Sequence, residues 1–461
     1  MKRCVSCGEG KLLYMISQRA VRMSGEGCTR RDLFLDYVLC CVLVMNSESV
    51  YFKHSDISSA IFEIILTITL IVYLCCSSAN RVLSKDDGVF AAVIAGVYSS
   101  ILLLLFLHGM PGSSVSNTLQ KIMLYSIIMP LFLVLVFKKR FTYVKNVLIV
   151  RYVNVMSILA FIGLLLWALS VAGLRLPSIP FSYQWGGGMQ ADGILGLTYT
   201  VQYSDQAFAS GLPRYTMFFV EGPIAISYFA LTAIMEITCN PHPRPSVILL
   251  LEACMICSFT SFGMMLAAPI AVLALMTSKR VKATLQKSYI AYYLYWVFVV
   301  TVVVVAPMVS FRLLSQKTNT SSADLHVADF VAGYRAFRNS PLFGYGIGNY
   351  EPLHTYSDIG VAGQSSAMMM GLVQGGMLLV GLIILPMVLA LVKCAYRKEY
   401  TFALLIIFTL LFYINGLSDN SPIFALLTAV FIVYAFYPVS VKTADCQAST
   451  VIVPENIAKS V

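Results

Sequence analysis

Long apolar runs separated by short polar breaks dominate the chain. A hydrocarbon layer about 30 Å thick is crossed by about 20 mostly apolar residues. Runs of that kind lie at 33–50, 57–77, 88–108, 119–137, 147–172, 215–237, 288–310, 367–392, 402–417 and 421–438. The apolar run from 246 to 278 is too long for one straight span. It is interrupted near Ser258-Phe-Thr-Ser-Phe-Gly263, where small and hydroxylated residues suit a tight turn between two short helices. Only helices satisfy their own backbone polar groups within lipid, so every span is expected to be helical.

Charge placement decides between one helix and two in that stretch. Cytoplasmic loops of membrane proteins carry an excess of Lys and Arg. With two helices, most of the 32 basic residues fall on one side, including Lys138, Lys139, Arg140, Lys279, Arg280, Lys282, Lys393, Arg397 and Lys398. With one helix, the last two groups would move outside. The expectation is therefore an all-α, polytopic helical membrane protein of about 12 transmembrane helices. A cytoplasmic N-terminal tail spans 1–32, a membrane domain spans 33–438, and a cytoplasmic C-terminal tail spans 439–461. Two long periplasmic loops, 173–214 and 311–366, break the pattern.

Composition agrees and excludes other classes. Of 461 residues 58% are hydrophobic and 12% are charged, with a net charge of +10 and a mean hydropathy of +0.79. Soluble proteins carry about 25% charged residues, so a soluble enzyme or a disordered scaffold is excluded. The positive balance reports loop topology rather than nucleic-acid binding. All 12 cysteines fall in spans or on the cytoplasmic side, leaving no disulfide framework for the outer loops. Cys4-Val-Ser-Cys7 is half of a zinc spacing with no second pair, and Cys254 and Cys257 read as packing. The N-terminus lacks the apolar core and small-residue cleavage site of a cleavable signal.

Connections this long are usually functional or unstructured. The first loop carries Phe181-Ser-Tyr-Gln-Trp185, then Tyr199, Tyr203 and Asp205. Aromatic faces among hydroxyls and amides suit sugar rings, and equally an interfacial aromatic belt. The second loop has helical spacing at Phe330, Tyr334 and Phe337, followed by Asn339-Ser-Pro-Leu-Phe-Gly344-Tyr-Gly346-Ile-Gly348-Asn-Tyr350. These glycines do not follow a strand and open a helix, so a nucleotide-binding reading fails on context.

This helix, turn and tyrosine resemble the central-loop signature of the bacterial O-antigen polymerase/ligase family. Arg214-Tyr-Thr-Met-Phe-Phe-Val-Glu221-Gly-Pro223 is similar to that family's Arg, aromatic, Glu, Pro entry into a membrane helix. Ile256-Cys-Ser-Phe-Thr-Ser261 is similar to its Thr/Ser-rich break. The motifs cover about a tenth of the chain, and their order fits its length. The resemblance implies a metal-independent, cofactor-free glycosyltransferase in the bacterial inner membrane, using an undecaprenyl-diphosphate-linked glycan as donor and acceptor. A chain-length regulator protein would be a partner, and nucleic acid would not.

Carried over to this sequence, Arg214 matches the family's first functional arginine and Glu221 its carboxylate. A cation offsets charge on a departing diphosphate, for which the Arg fork is suited. The bland readings are an Arg that reaches to the interface or pairs with Glu221, and a helix-start carboxylate stabilised by the dipole. The family's second arginine is replaced by His326, for which Arg335 or Arg338 could substitute. The ligase-type histidine slot falls at Gln364-Ser365, and His354 is the only downstream loop histidine. Catalytic candidates are therefore Arg214, Glu221, Arg335 and His354. Substrate-binding candidates are Trp185, Tyr199, His326, Arg338 and Tyr350. The missing histidine favours a polymerase over a ligase. A flippase is a third reading, weakened by the few charges within spans (Glu63, Glu236 and Glu252, with Asp36 and Arg151 near ends).

Overall fold

The computed structural model describes residues 29–77, 82–183, 189–204, 209–277, 321–358, 366–416 and 420–437, with single positions at 281, 293 and 297; the side chains of 321–326 and 415 are excluded. Most of the predicted span 288–310, residues 1–28 of the N-terminal tail, the C-terminal tail, Trp185, Asp205 and the Gln364-Ser365 slot lie outside these residues.

Six described helices are long and apolar enough to cross a membrane, and four further apolar helices are shorter. In chain order the helices are α1 (Arg30–Met45), α2 (Asp56–Cys76), α3 (Lys85–Leu107), α4 (Val115–Lys139), α5 (Phe141–Val171), α6 (Gly222–Cys239), α7 (Pro245–Cys257) and α8 (Ser261–Thr277). After them come α9 (Ser321–Asn339), α10 (Glu351–Tyr356), α11 (Ala367–Arg397), α12 (Tyr400–Asn415) and α13 (Pro422–Phe436). Hydroxyl side chains cap several starts, as N-terminal N–H groups require. Thr29 and Asp32 form a reciprocal capping box on α1, and Ser55, Ser84 and Ser114 accept first-turn N–H groups of α2, α3 and α4. A π turn at Met123–Ile128 lies within α4 just before Pro130. Pro130 has no N–H to offer the preceding turn, a common cause of such ladder defects.

Lipid exposure explains the outer helices. α2 shows Ile57, Ile61, Ile64, Ile68 and Ile71 to the surroundings, a patch that water would not tolerate at this size. At the centre stand α6 and α13, whose side chains are almost entirely buried. This is a helical membrane protein.

The interruption expected at Ser258–Gly263 is present between α7 and α8. Thirteen residues of α7 rise only about 20 Å, so the pair forms a short hairpin beside α6. Two predicted boundaries require correction. The run 33–50 is helical only to Met45, and Asn46, Ser47, Glu48 and Ser49 form a buried polar turn with Glu48 at φ 47°. The run 215–237 starts its helix only at Gly222, so Arg214 stands eight residues before α6 rather than at its first turn.

Hydropathy also hid a β element, because its strands are short and irregularly apolar. Within the first loop, β1 (Ser178–Tyr183), β2 (Met189–Ile194) and β3 (Thr198–Thr200) form an antiparallel sheet in that order. His54 Nδ1 meets Ser182 O at 2.6 Å, and Ser49 bridges Phe219, which ties this loop to the α1–α2 turn. The second loop packs on the α3–α4 turn, with Ser114 N donating to Ile347 O at 2.9 Å and Met110 N to Tyr345 O at 3.3 Å. Alternation of α2 and α3 puts these two turns at the same end of the bundle. Both long loops therefore share one end.

The second loop is also stitched into a broken helix. α11 is kinked at Gly376 (φ 58°, ψ −153°). The freed carbonyls of Val373 and Gln374 accept from Tyr345 N at 2.8 Å and Gly346 N at 2.9 Å, while Met377 N donates to Pro341 O at 2.8 Å. Buried backbone groups need such partners. A Cβ on Gly344, which has φ 64°, would lie 2.5 Å from Val373 O. These glycines serve close packing.

At the opposite end two ion pairs bind helices together. Asp36 of α1 pairs with Arg151 of α5, and Tyr73 and Tyr143 donate hydroxyls to the same carboxylate. Asp32 pairs with Lys139 at 3.2 Å, both nearly inaccessible.

Candidate functional site

The segment 201–221 returns the chain from the sheet to α6 as a strap pressed into the bundle end. Tyr215, Met217, Phe218, Phe219 and Val220 are fully buried. Tyr215 stacks on Phe229 at 5.7 Å and Phe219 on Tyr228 at 4.7 Å, both nearly parallel. Tyr215 also donates its hydroxyl to Ala160 O at 2.9 Å and its N–H to Cys257 O at 3.1 Å. The residue after Arg214 is thus fixed to α5, α6 and the end of α7 at once.

Arg214 is half-buried and held from its other side by Gln202. Its N–H donates to Gln202 O at 2.8 Å and its Nη1 lies 3.4 Å from Gln202 Oε1. Gly222 opens α6 in this corner. A Cβ there would meet Thr260 Cγ2 at 3.1 Å, Gln202 Oε1 at 3.7 Å and Arg214 Cδ at 3.9 Å. Thr260 immediately precedes α8, and its Oγ1 accepts from Gly263 N at 3.1 Å. The N-terminal ends of α6 and α8 therefore converge beside the Arg214 stem. Each carries partial positive charge and first-turn N–H groups, the usual attributes of a phosphate site.

Glu221 is the residue before α6, half-buried and extended at φ −161°. Its charge is felt by Tyr183 at the end of β1: burial first, then the Glu221 carboxylate, push that phenol up to about 12. Tyr183 thus remains a neutral hydroxyl near Glu221 at physiological pH. The start of α6 thus has the Arg214 stem and the start of α8 beside Gly222, and the Glu221 carboxylate with the Tyr183 phenol one residue earlier.

The other candidates lie elsewhere. Arg335, on α9, donates to Asp358 Oδ1 at 2.6 Å and to Tyr356 O at 3.2 Å. This hydrogen bond holds the Asp358 carboxyl below the usual aspartate range. Arg335 is thus an exposed member of a loop-fastening cluster that includes Asn339, whose Nδ2 donates to Tyr356 Oη at 2.8 Å. Arg338 and His354 are exposed, and Tyr350 precedes α10 half-buried. The side chains of His326 and Trp185 are outside the described residues.

Two further placements concern Tyr199 and the faces of α9. Tyr199 is buried, donates to Tyr51 Oη at 2.8 Å and packs edge-on against Tyr51 and Phe181. It closes a packing cluster with those two rings. On α9 the face toward α11 is Asp329, Ala332, Gly333 and Ala336, whereas Phe330 and Tyr334 are exposed with Val327 and Val331. Small residues are inward because α11 passes close, with Met369 Cβ 3.1 Å from a Cβ built on Gly333.

Sequence reasoning missed Gln202, Tyr183 and Glu48. Glu48 is buried, pairs with Lys53 at 3.4 Å and accepts Val220 N on its carbonyl at 3.3 Å, which supports the strap from below. A signal existed in Asn46-Ser-Glu-Ser49, a polar tetrad placed within an otherwise apolar run. Among the described residues no group of three or more His, Cys, Asp or Glu side chains is gathered as a metal site would need. No protein-family model matches the chain, and no curated protein matches it.

Proposed function

We propose that the chain polymerises undecaprenyl-diphosphate-linked oligosaccharide repeat units, O-antigen or a related surface polysaccharide, at the periplasmic face of the bacterial inner membrane. In this reading it crosses the membrane twelve times with both termini cytoplasmic, and the loop-bearing end is periplasmic. The observation that carries the proposal is the convergence of Arg214 with the starts of α6 and α8 at that end. A diphosphate leaving an anomeric carbon needs positive charge that is already in place, because preorganised donors lower the barrier without reorganisation.

The chemistry assigned to this corner is one displacement. An acceptor sugar hydroxyl attacks the anomeric carbon of the donor glycan. The bond from that carbon to the diphosphate oxygen breaks, and undecaprenyl diphosphate departs with its electron pair. Arg214 and the two helix starts hold the phosphate oxygens. Glu221 takes the proton from the acceptor hydroxyl, and Tyr183 hydrogen-bonds as a neutral phenol. The apolar stripe of Val327, Phe330, Val331 and Tyr334 on α9 offers a surface to the prenyl chain. A chain-length regulator protein is the expected partner at this face.

Deletion of the gene tests the assignment. Accumulation of single lipid-linked repeat units supports a polymerase. Accumulation of lipid-linked polymer would mean instead a ligase that hands finished chains to a lipid A core. Absence of repeat units from the periplasmic leaflet would mean a flippase.

A further inference from the structure

The end of the bundle opposite the two long loops holds a cavity of about 310 Å³ between the starts of α5 and α12 and the ends of α6 and α8. Its volume lies at the lower end of ligand-binding clefts. Lys145, Asn146, Asn240, Thr277 and Thr401 supply its polar lining, and no acidic side chain lines it among the described residues. Lys145 Nζ stands 4.9 Å from the Phe402 ring centroid, which positions the ammonium on the cavity wall. Among the described residues it has no carboxylate partner.

The neighbouring charges are already matched. Glu236 receives Arg244 Nε at 2.9 Å, Arg244 Nη2 at 2.8 Å, Arg244 N at 2.7 Å and Asn240 Nδ2 at 2.8 Å. That carboxylate and guanidinium cancel, leaving Lys145 as the charge of the cavity among the described residues. The side chains of Asn146 and Thr401 make no hydrogen bond with other described residues, so both have donors to offer. Four helix ends meet here, which sets the cavity at the depth of lipid headgroups rather than of acyl chains.

We infer that this cavity binds a phosphate-bearing anion, presented as the headgroup of an anionic phospholipid of that leaflet. Lys145 holds the phosphate, and Asn146 and Thr401 donate to its oxygens. Basic pockets between membrane helices recognise such headgroups by this chemistry. The occupant is unrelated to the glycan substrate and lies at the other membrane face.

The test titrates the detergent-solubilised full chain with short-chain phosphatidylglycerol, short-chain phosphatidylcholine or sodium phosphate and follows the thermal unfolding midpoint. Phosphatidylglycerol should raise the midpoint saturably and phosphatidylcholine should not. Lys145→Ala should shift the half-saturating concentration up by about tenfold, the worth of one charge-assisted hydrogen bond. Lys145→Arg should bind as the parent does, and Lys85→Gln, an exposed charge at the same end but outside the cavity, should also be unchanged. An equal response to sodium phosphate would keep the site and identify a free anion as its occupant. No saturable shift with either, or equal losses in Lys145→Ala and Lys85→Gln, would overturn the inference.

Discussion

Replacing Asp36 by leucine removes the carboxylate that holds α1 to α5. Asp36 is wholly buried and Arg151 nearly so, and Tyr73 and Tyr143 both donate to Asp36. The leucine variant leaves a buried guanidinium without the carboxylate that balances its charge, while the Tyr143 hydroxyl stays 3.2 Å from Nη1. Breaking one side of a buried pair costs about 3–5 kcal/mol. Arg151→Met costs less, because the two tyrosines still satisfy the carboxylate; hydrogen bonds to a charged group contribute about 1.5–3 kcal/mol. The double variant Asp36→Leu/Arg151→Met should regain most of the loss, since an apolar pair of similar volume often equals or exceeds a buried ion pair. Denaturant titration of the purified protein in mixed micelles measures all four corners of the cycle. A loss below about 1 kcal/mol in Asp36→Leu, or additive effects in the double variant, would refute the lock.

Other outcomes follow from the same geometry. Gly344→Ala places a methyl 2.5 Å from Val373 O at a positive φ; it should destabilise by about 1–3 kcal/mol and speed proteolysis around 341–350. Tyr183 retains its proton in the folded state up to about 12, whereas a free tyrosine ionises near 10. Between those values the folded state binds more protons, so stability falls as pH rises, and Tyr183→Phe should flatten part of that fall in thermal unfolding against pH. Asp358→Asn releases Arg335 and should increase proteolysis of 351–358 at neutral pH. In the parent, acidification to pH 5 should not, because the carboxyl is held below its usual range. Single cysteines at Arg338 and Lys85, in a background without other cysteines, should label from opposite sides of the membrane.

Long apolar runs made most helices legible, because lipid imposes one solution on twenty apolar residues. The break between α7 and α8 was legible too, from charge parity and from Ser258–Gly263. What escaped was the matter of ends. Hydropathy extends a run through any apolar residue, so Tyr215–Val220 read as the start of a helix when its aromatics anchor a strap. Asn46–Ser49 vanished into a run for the opposite reason, being too short to break the average. The pairing of Asp36 with Arg151 depends on helix adjacency, and no single span carries that information. At the candidate site, Arg214 and Glu221 were visible through their resemblance to a family motif. Gln202 and Tyr183 were not, since they reach that corner only through the fold of the sheet. Arg335 drew attention by charge, but its charge is engaged by Asp358, which follows it by 23 residues.

The central claim is that Arg214, set beside two helix starts, binds the diphosphate of a lipid-linked glycan during chain growth. Its most direct test is the glycan profile of cells whose only copy carries Arg214→Ala, with protein abundance measured in parallel. Loss of one such preorganised donor slows catalysis by about a hundredfold to a thousandfold. The account predicts normal abundance, accumulated single lipid-linked repeat units and no polymer ladder. A ladder of normal chain length at normal abundance would contradict it.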